Sequence, residues 1–300
     1  MASYPSDSAG ALIDVGSTSV SLLIASRGAR GLVRHRKKKE LLRLGAARDD
    51  SGCVLESKVG ELMGVLRTFR EMAEGLPLRV VATASLRGAA NLESIQAQVE
   101  GAIACPLEVL SGEAEAAAAY RGAHLASPMS GSKLVVDVGG GSTELAWGAG
   151  HKPDRVASLS LGVVRLQHEH GLVGAPTQAN LRQAEAAVRR SIQGLPPAPG
   201  GEAVACSGTM KRLIGVAQKH FPPSLEASLH RSALEGVWES VLSCGEAGPV
   251  SLPGADPARS DLLLAGALLF RVLSDELRVQ TWRLTPGGLR WGLMDELLSD

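Results

Sequence analysis

Aromatic rings are scarce in this chain. Four Trp, two Tyr and three Phe make up 3% of its 300 residues. Proteins that hold single-stranded nucleic acid stack bases on such rings, so that function is disfavoured. A surplus of charge is missing as well, because 31 basic side chains balance 31 acidic ones. That balance argues against a general DNA-coating role. The four cysteines, Cys53, Cys105, Cys206 and Cys244, contain no CxxC pair. Their spacing gives neither a zinc signature nor a disulfide framework and suits a reducing cytoplasm. The longest apolar run, 262–270, is half of a bilayer-spanning helix. Residues 1–10 carry no basic segment followed by an apolar one, so no signal peptide is read. A cytoplasmic protein is expected, with no membrane and no DNA as partner.

What is present is enough for a core. Apolar residues reach 45% and charged residues 21%, which excludes disorder as the main theme. Gly is abundant, at 35 residues. The length suits one large domain or two medium ones. Residues 12–15 form an apolar run that stops at Gly16, and 20–25 form a second, so 16–19 reads as a hairpin turn. A third extended stretch, 31–44, contains the basic run 34–39. Leu55, Val59, Leu62, Leu66, Phe69 and Met72 recur at steps of three and four, which predicts a helix over 54–73. A strand at 78–82, a helix at 91–104, a strand at 107–110 and an Ala-rich helix at 114–125 follow. The order β-β-β-α-β-α-β-α then restarts at Lys133. Strands are expected at 134–138, 145–147 and 155–161, then a helix at 177–192 and a strand at 203–205. A helix from Gly208, helices at 232–242 and 258–273, a strand at 279–284 and a helix at 289–298 complete the pattern. The second half repeats the first with one helical insertion. The expected units are 8–125 with 287–300, and 126–286.

The strongest chemical signal is a matched pair of turns. Strand, Asp-Val-Gly and a small-residue turn occur at Asp14 and again at Asp137. Gly16, Gly139, Gly140 and Gly141 let a phosphate approach the backbone, and successive amides can form an anion nest. Ser17, Thr18, Ser19, Ser142 and Thr143 add hydroxyl donors. One such turn is commonly an ordinary hairpin, but two in a duplicated fold point to a phosphate cleft. Gly208 and Thr209 open a helix and are a further candidate, as is the 286–288 Pro-Gly-Gly; capping and tight packing explain these equally well. Glu113 and Glu115 lie in the first turn of a helix, where acids complement the dipole. Glu115 is also placed to orient a water at the cleft. Arg87, after a strand end, can fork onto a phosphate. The basic run reads as a solvated strand edge, or as a guide for a long polyanion. No Walker A loop, GxGxxG, GxSxG or HExxH occurs.

Six stretches in order, 13–17, 82–87, 109–112, 136–145, 160–166 and 207–209, resemble the exopolyphosphatase and guanosine pentaphosphate phosphohydrolase family. The resemblance implies an α/β fold of two ribonuclease-H-like, actin-like domains with phosphate bound between them. It implies release of a terminal phosphate from polyphosphate, or from guanosine pentaphosphate, with Mg²⁺ or Mn²⁺. Glu115 falls at the water-activating glutamate, with Arg87 beside the substrate. Asp137 and Glu144, with Asp14, match metal-associated acids. Gly16, Ser17, Arg87, Gly140, Gly141, Ser142 and Thr143 match phosphate-contacting positions.

Departures are specific. Thr18 stands where the family has Asn in its first turn, and Ser21 where it often has Arg or His. Ala114 and Ala117 stand where it has Glu and Arg. Two other readings accompany the hydrolase: a kinase with a nucleotide at 207–209, and a sensor that binds the alarmone or polyphosphate without turnover. A homodimer would lengthen the groove for polyphosphate.

Overall fold

The computed structural model describes residues 9–29, 31–127, 129–220, 227–245 and 248–299. Ser8 and Asp300, the outer ends of the first expected unit, lie outside the described residues, as do residues 1–7.

Two sheets share one strand order. In the first, β1 (Ala9–Val15), β2 (Ser19–Gly28) and β3 (Gly31–Leu41) form an antiparallel meander. Then β4 (Leu78–Ala82) and β5 (Leu107–Val109) run parallel to β1, giving the order β3-β2-β1-β4-β5. In the second, β6 (Lys133–Val138), β7 (Thr143–Gly148) and β8 (Arg155–Leu159) form the meander. Here β9 (Glu202–Ala205) and β11 (Thr281–Leu284) continue in parallel, and β10 (Ser228–His230) adds an antiparallel edge. This is the duplicated α/β architecture expected from the repeated Asp-Val-Gly pattern. β1 is buried along its whole length, so it reads as a continuous apolar run rather than an alternating one. β3 is an exposed edge, and its lysines discourage pairing with another sheet.

Five layers result. α1 (Glu56–Met72) and α2 (Leu92–Ile103) cover the outer face of the first sheet, packing Leu62, Leu66, Phe69, Ile95 and Val99 on Ile13, Leu22 and Ile24. α4 (Val163–Glu169), α5 (Gln178–Ile192), α6 (Gly208–His220), α7 (Arg231–Ser243) and α8 (Leu263–Glu276) surround the second sheet's core, which includes Val136, Leu145, Leu268, Phe270 and Trp282. α3 (Gly112–Ala126) and α9 (Leu289–Leu297) form the middle layer. Ala118 of α3 and Leu293 of α9 pack on Leu12, Leu23 and Val81, while Ala116, Tyr120 and Ala123 pack on Val135 and Ala146.

Two expectations needed correction. The second half holds more than one inserted element: α4 joins α5 between β8 and β9, and β10 with α7 follows α6. α4 spans seven residues, too short for a clear period. The helix expected over 258–273 begins at Leu263. The Asp256 carboxylate accepts a bond from the Ala258 amide at 3.2 Å, and a turn occupies the expected first residues.

The middle helices touch backbone to backbone. A methyl group added at Gly292 would overlap the Ala118 carbonyl, and one at Gly122 the carbonyl of Gly288. Gly292→Val is therefore expected to destabilise the protein by about 3 kcal/mol through overpacking. Chemical denaturation checks this; an unchanged midpoint would mean that α3 and α9 can separate freely.

Candidate active site

The parallel strands of each sheet end at a common edge, where open α/β sheets take ligands. At the first edge the chain turns after Asp14, and the Gly16 amide donates to the Ser19 carbonyl at 3.1 Å. At the second it turns after Asp137, and the Gly139 amide donates to the Ser142 carbonyl at 2.9 Å. The two turns are in contact. A methyl group at Gly140 would lie 2.7 Å from Thr18 Oγ1, and one at Gly141 2.8 Å from Ser17 Oγ. Glycine at 140 and 141 is thus required by the close approach of the facing turn.

α3 starts beside this junction. Ser111 caps it, accepting the Ala114 amide at 3.1 Å. Glu115 is 4% exposed and ion-paired with the Arg87 guanidinium, whose Nε donates to the Leu110 carbonyl at 3.1 Å. Sequence had placed Glu115 and Arg87 on separate segments; the fold joins them directly. Glu113, by contrast, is exposed and held below the usual carboxylate range by its own backbone amide and by Ser111. It is a capping residue.

A row of side chains crosses each sheet behind its turn. In the second sheet Asp137 pairs with Glu144, and Glu144 with Ser158. Ser158 donates to Glu144 at 3.0 Å. Burial pushes the Glu144 carboxyl up to about 7; the Ser142 hydroxyl opposes the rise and the Asp137 charge adds to it. Burial also raises Asp137, against the pull of Arg290. In the first sheet the matching row is Asp14, Ser21 and Lys39. Arg290, from the first turn of α9, donates to Asp14 Oδ2 at 2.8 Å.

Other expected residues have structural employment. The Thr143 hydroxyl is buried and donates to the Leu161 carbonyl at 2.5 Å. Thr209 Oγ1 reaches the Val138 carbonyl at 3.4 Å, placing the start of α6, with Gly208, behind the second turn. Gly287 and Gly288 pack against Gly122 and Cys206. A cavity of about 610 Å³ lies at the other end of α3 and α9, lined by Arg121, His124, His151 and Glu296, and touches no residue of the two turns.

The model of the Ppx/GppA phosphatase family matches residues 23–300. The chain belongs to the Ppx/GppA phosphatase family. A family member from Aquifex aeolicus is 24% identical with a TM-score of 0.82, covering 97% of this chain and 98% of that one. An exopolyphosphatase from Cytophaga hutchinsonii is 18% identical with a TM-score of 0.85, covering 97% and 98%. An exopolyphosphatase-like protein is 23% identical with a TM-score of 0.85, covering 96% and 97%. These likenesses establish the two-sheet fold along nearly the whole chain.

Within this Ppx/GppA site, the acids expected to hold a metal divide into two. Asp137 and Glu144 are neighbouring hard oxygen donors whose charge is poorly compensated, which fits a divalent cation such as Mg²⁺ or Mn²⁺. Asp14 is engaged by Arg290. Among the described residues no three His, Cys, Asp or Glu side chains form a ready-made metal cage. No described helix is long and apolar enough to cross a membrane. Sequence reasoning missed Arg290 and Ser158. Arg290 follows the Gly-Gly pair at the start of α9, a signal that was read for its backbone alone. Ser158 became visible only through strand register.

Proposed function

We propose that this phosphatase removes the terminal orthophosphate of inorganic polyphosphate by hydrolysis. One observation carries the reading: Glu115 and Arg87 meet at the start of α3, beside two facing Gly-rich turns and opposite the Asp137–Glu144 pair.

Phosphoanhydride hydrolysis calls for charge neutralisation and an in-line water. The amides of Gly16, Gly139, Gly140 and Gly141 would hold the terminal phosphoryl oxygens, joined by the hydroxyls of Ser17, Thr18, Ser19 and Ser142. Gly208 and Thr209 support the second turn from behind. Arg87 would move from Glu115 to a phosphoryl oxygen on binding. Glu115, released from that pair, would align a water and accept its proton. The water oxygen bonds to the terminal phosphorus as the bridging P–O bond breaks. The shortened chain leaves carrying the bridging oxygen. Mg²⁺ or Mn²⁺, held by Asp137 and Glu144, would supply neutralisation of the phosphate charge. Asp14, fixed by Arg290, keeps the first turn in register with this pair.

Phosphate release should be measured on long polyphosphate, short polyphosphate and guanosine pentaphosphate, each with Mg²⁺ and with chelator. Fastest release from polyphosphate, lost with chelator, is the expected result. Faster release from guanosine pentaphosphate would move the substrate to the nucleotide. Binding of either without release at any Mg²⁺ concentration would make the protein a sensor. Phosphate transfer from ATP to an acceptor, with no polyphosphate hydrolysis, would make it a kinase.

A further inference from the structure

The middle helices have a second end, away from the two turns. There the start of β4, the last turns of α3 and α9, and the loop between β7 and β8 enclose the cavity of about 610 Å³. Arg79 comes from β4, and Arg121 and His124 from α3. His151 and Lys152 come from the loop, and Asp295 and Glu296 from α9. Tyr120 ties the loop to α3, its hydroxyl donating to the Gly150 carbonyl at 3.1 Å. The Asp154 amide closes the loop on the Trp147 carbonyl at 2.7 Å. An exposed loop is thereby held over the end of a buried helix.

Most of the charges here are matched. Glu296 accepts from Arg79 at 2.8 Å and also pairs with Arg121. Glu108 of β5 accepts from the Arg79 Nε at 3.0 Å. Asp295 accepts from Arg27 of β2 at 2.7 Å. Lys152, His124 and His151 are left over. None of the three makes an ion pair or a side-chain hydrogen bond among the described residues.

The two imidazoles meet edge to face, with ring centroids 4.5 Å apart. Nδ1 of His124 is buried without a hydrogen-bond partner, an arrangement that folded proteins seldom keep. Burial, then the neighbouring His151, hold His124 below the usual imidazole range. An ammonium group and two imidazoles therefore converge from two elements with no acceptor between them. A metal cation is disfavoured, because the acids that could ligate it are engaged by arginines and Lys152 would repel it.

We propose that this cavity binds the dianionic phosphate group of a small molecule, held by Lys152, His151 and His124. The site is separate from the two turns and does not depend on hydrolysis there. Its volume suits a ligand larger than orthophosphate, and Leu125 and Leu297 offer an apolar wall to the remainder. The bound anion would link the second sheet's loop to α3, whose first turn carries Glu115 about 14 Å away along the helix axis.

A proton accompanies the anion. Negative charge beside an imidazole favours its protonated form, so the complex holds His124 charged to a higher pH than the free protein does. Carboxylates, guanidinium groups and ammonium groups keep their charge between pH 6 and 8, so the two imidazoles are the lining groups that change. Affinity should therefore rise as pH falls across that range.

The test reads the cavity locally. The Hε1 NMR signals of His124 and His151, assigned with H124Q and H151Q, are followed in the full-length protein as sulfate is added. Chloride at matched ionic strength is the reference. Sulfate has the shape and charge of the phosphate dianion and does not titrate in this range. Both signals should move to saturation, with a midpoint at lower sulfate at pH 6 than at pH 8. Orthophosphate should move the same two signals. His230, on the far edge of the second sheet, should stay in place. K152M, a change on the exposed loop, should weaken sulfate binding by roughly tenfold, as expected for one lost charged contact. No displacement beyond that of chloride would overturn the proposal, as would a K152M variant that binds sulfate like the wild type. Phosphate release plays no part in the measurement, so failure of the hydrolase reading leaves this result standing.

Discussion

Glu115→Gln is expected to slow phosphate release by about 10²–10⁴-fold, the range associated with loss of a positioned general base. The amide keeps the shape of the carboxylate and can still accept a bond from Arg87, but it cannot take the proton of the attacking water. Because Arg87 would no longer be held by a full negative charge, polyphosphate should bind as tightly as in the wild type or more tightly. Rate and affinity therefore move independently, which a folding defect would not produce. Glu113→Gln is the natural control. Its carboxylate lies two residues away on the same helical turn but is exposed and bonded to Ser111 and its own amide. It should change the rate by less than about twofold, in line with a surface substitution. Full activity in Glu115→Gln would remove this residue from the chemistry, and equal loss in both variants would point to the helix start rather than to the base.

Arg290→Met is expected to produce the largest loss of stability of any single change at the site. Its guanidinium is the ion-pair partner of Asp14, whose side chain is 9% exposed. Removing one member of such a pair leaves a charge without compensation and costs about 3 kcal/mol or more. Asp137 is also eased towards its ionised form by Arg290, so the loss should extend to the second sheet. Asp14→Asn in the same background should recover part of the deficit, because the stranded charge is then gone. A double-mutant cycle by urea denaturation should give a coupling above about 1 kcal/mol. Strict additivity would show that the pair contributes nothing beyond its separate members.

Much of this molecule could be read from its residues. The duplicated Asp-Val-Gly pattern announced two matched sheets, because a strand buried on both faces and ending in a small-residue turn has few other uses. The periodicity of Leu55, Val59, Leu62 and Leu66 placed α1 within two residues at each end. Glu115 and Arg87 were found singly, but their pairing was not, since 28 positions separate them and only the fold closes that gap. Lys39 was harder. A run of six basic residues on an edge strand looks uniform in sequence, and only register decides which of them share a face with Ser21 and Asp14. Thr143 is the opposite case: a hydroxyl in a Gly-rich turn looks free until its acceptor, the Leu161 carbonyl, comes near from a distant segment.

The return of α9 to the first sheet also sets an order of events during synthesis. Asp14 leaves the ribosome early, and its partner Arg290 is made 276 residues later. At about 5–20 residues per second, that interval lasts about 14–55 s. Throughout it the first sheet lacks Leu293 and Met294 on its inner face and a counter-charge on Asp14. Until α9 is made, the inner face of the first sheet has none of the cover that Leu293 and Met294 give it. Docking of α9 is what completes the cover of the first sheet's inner face.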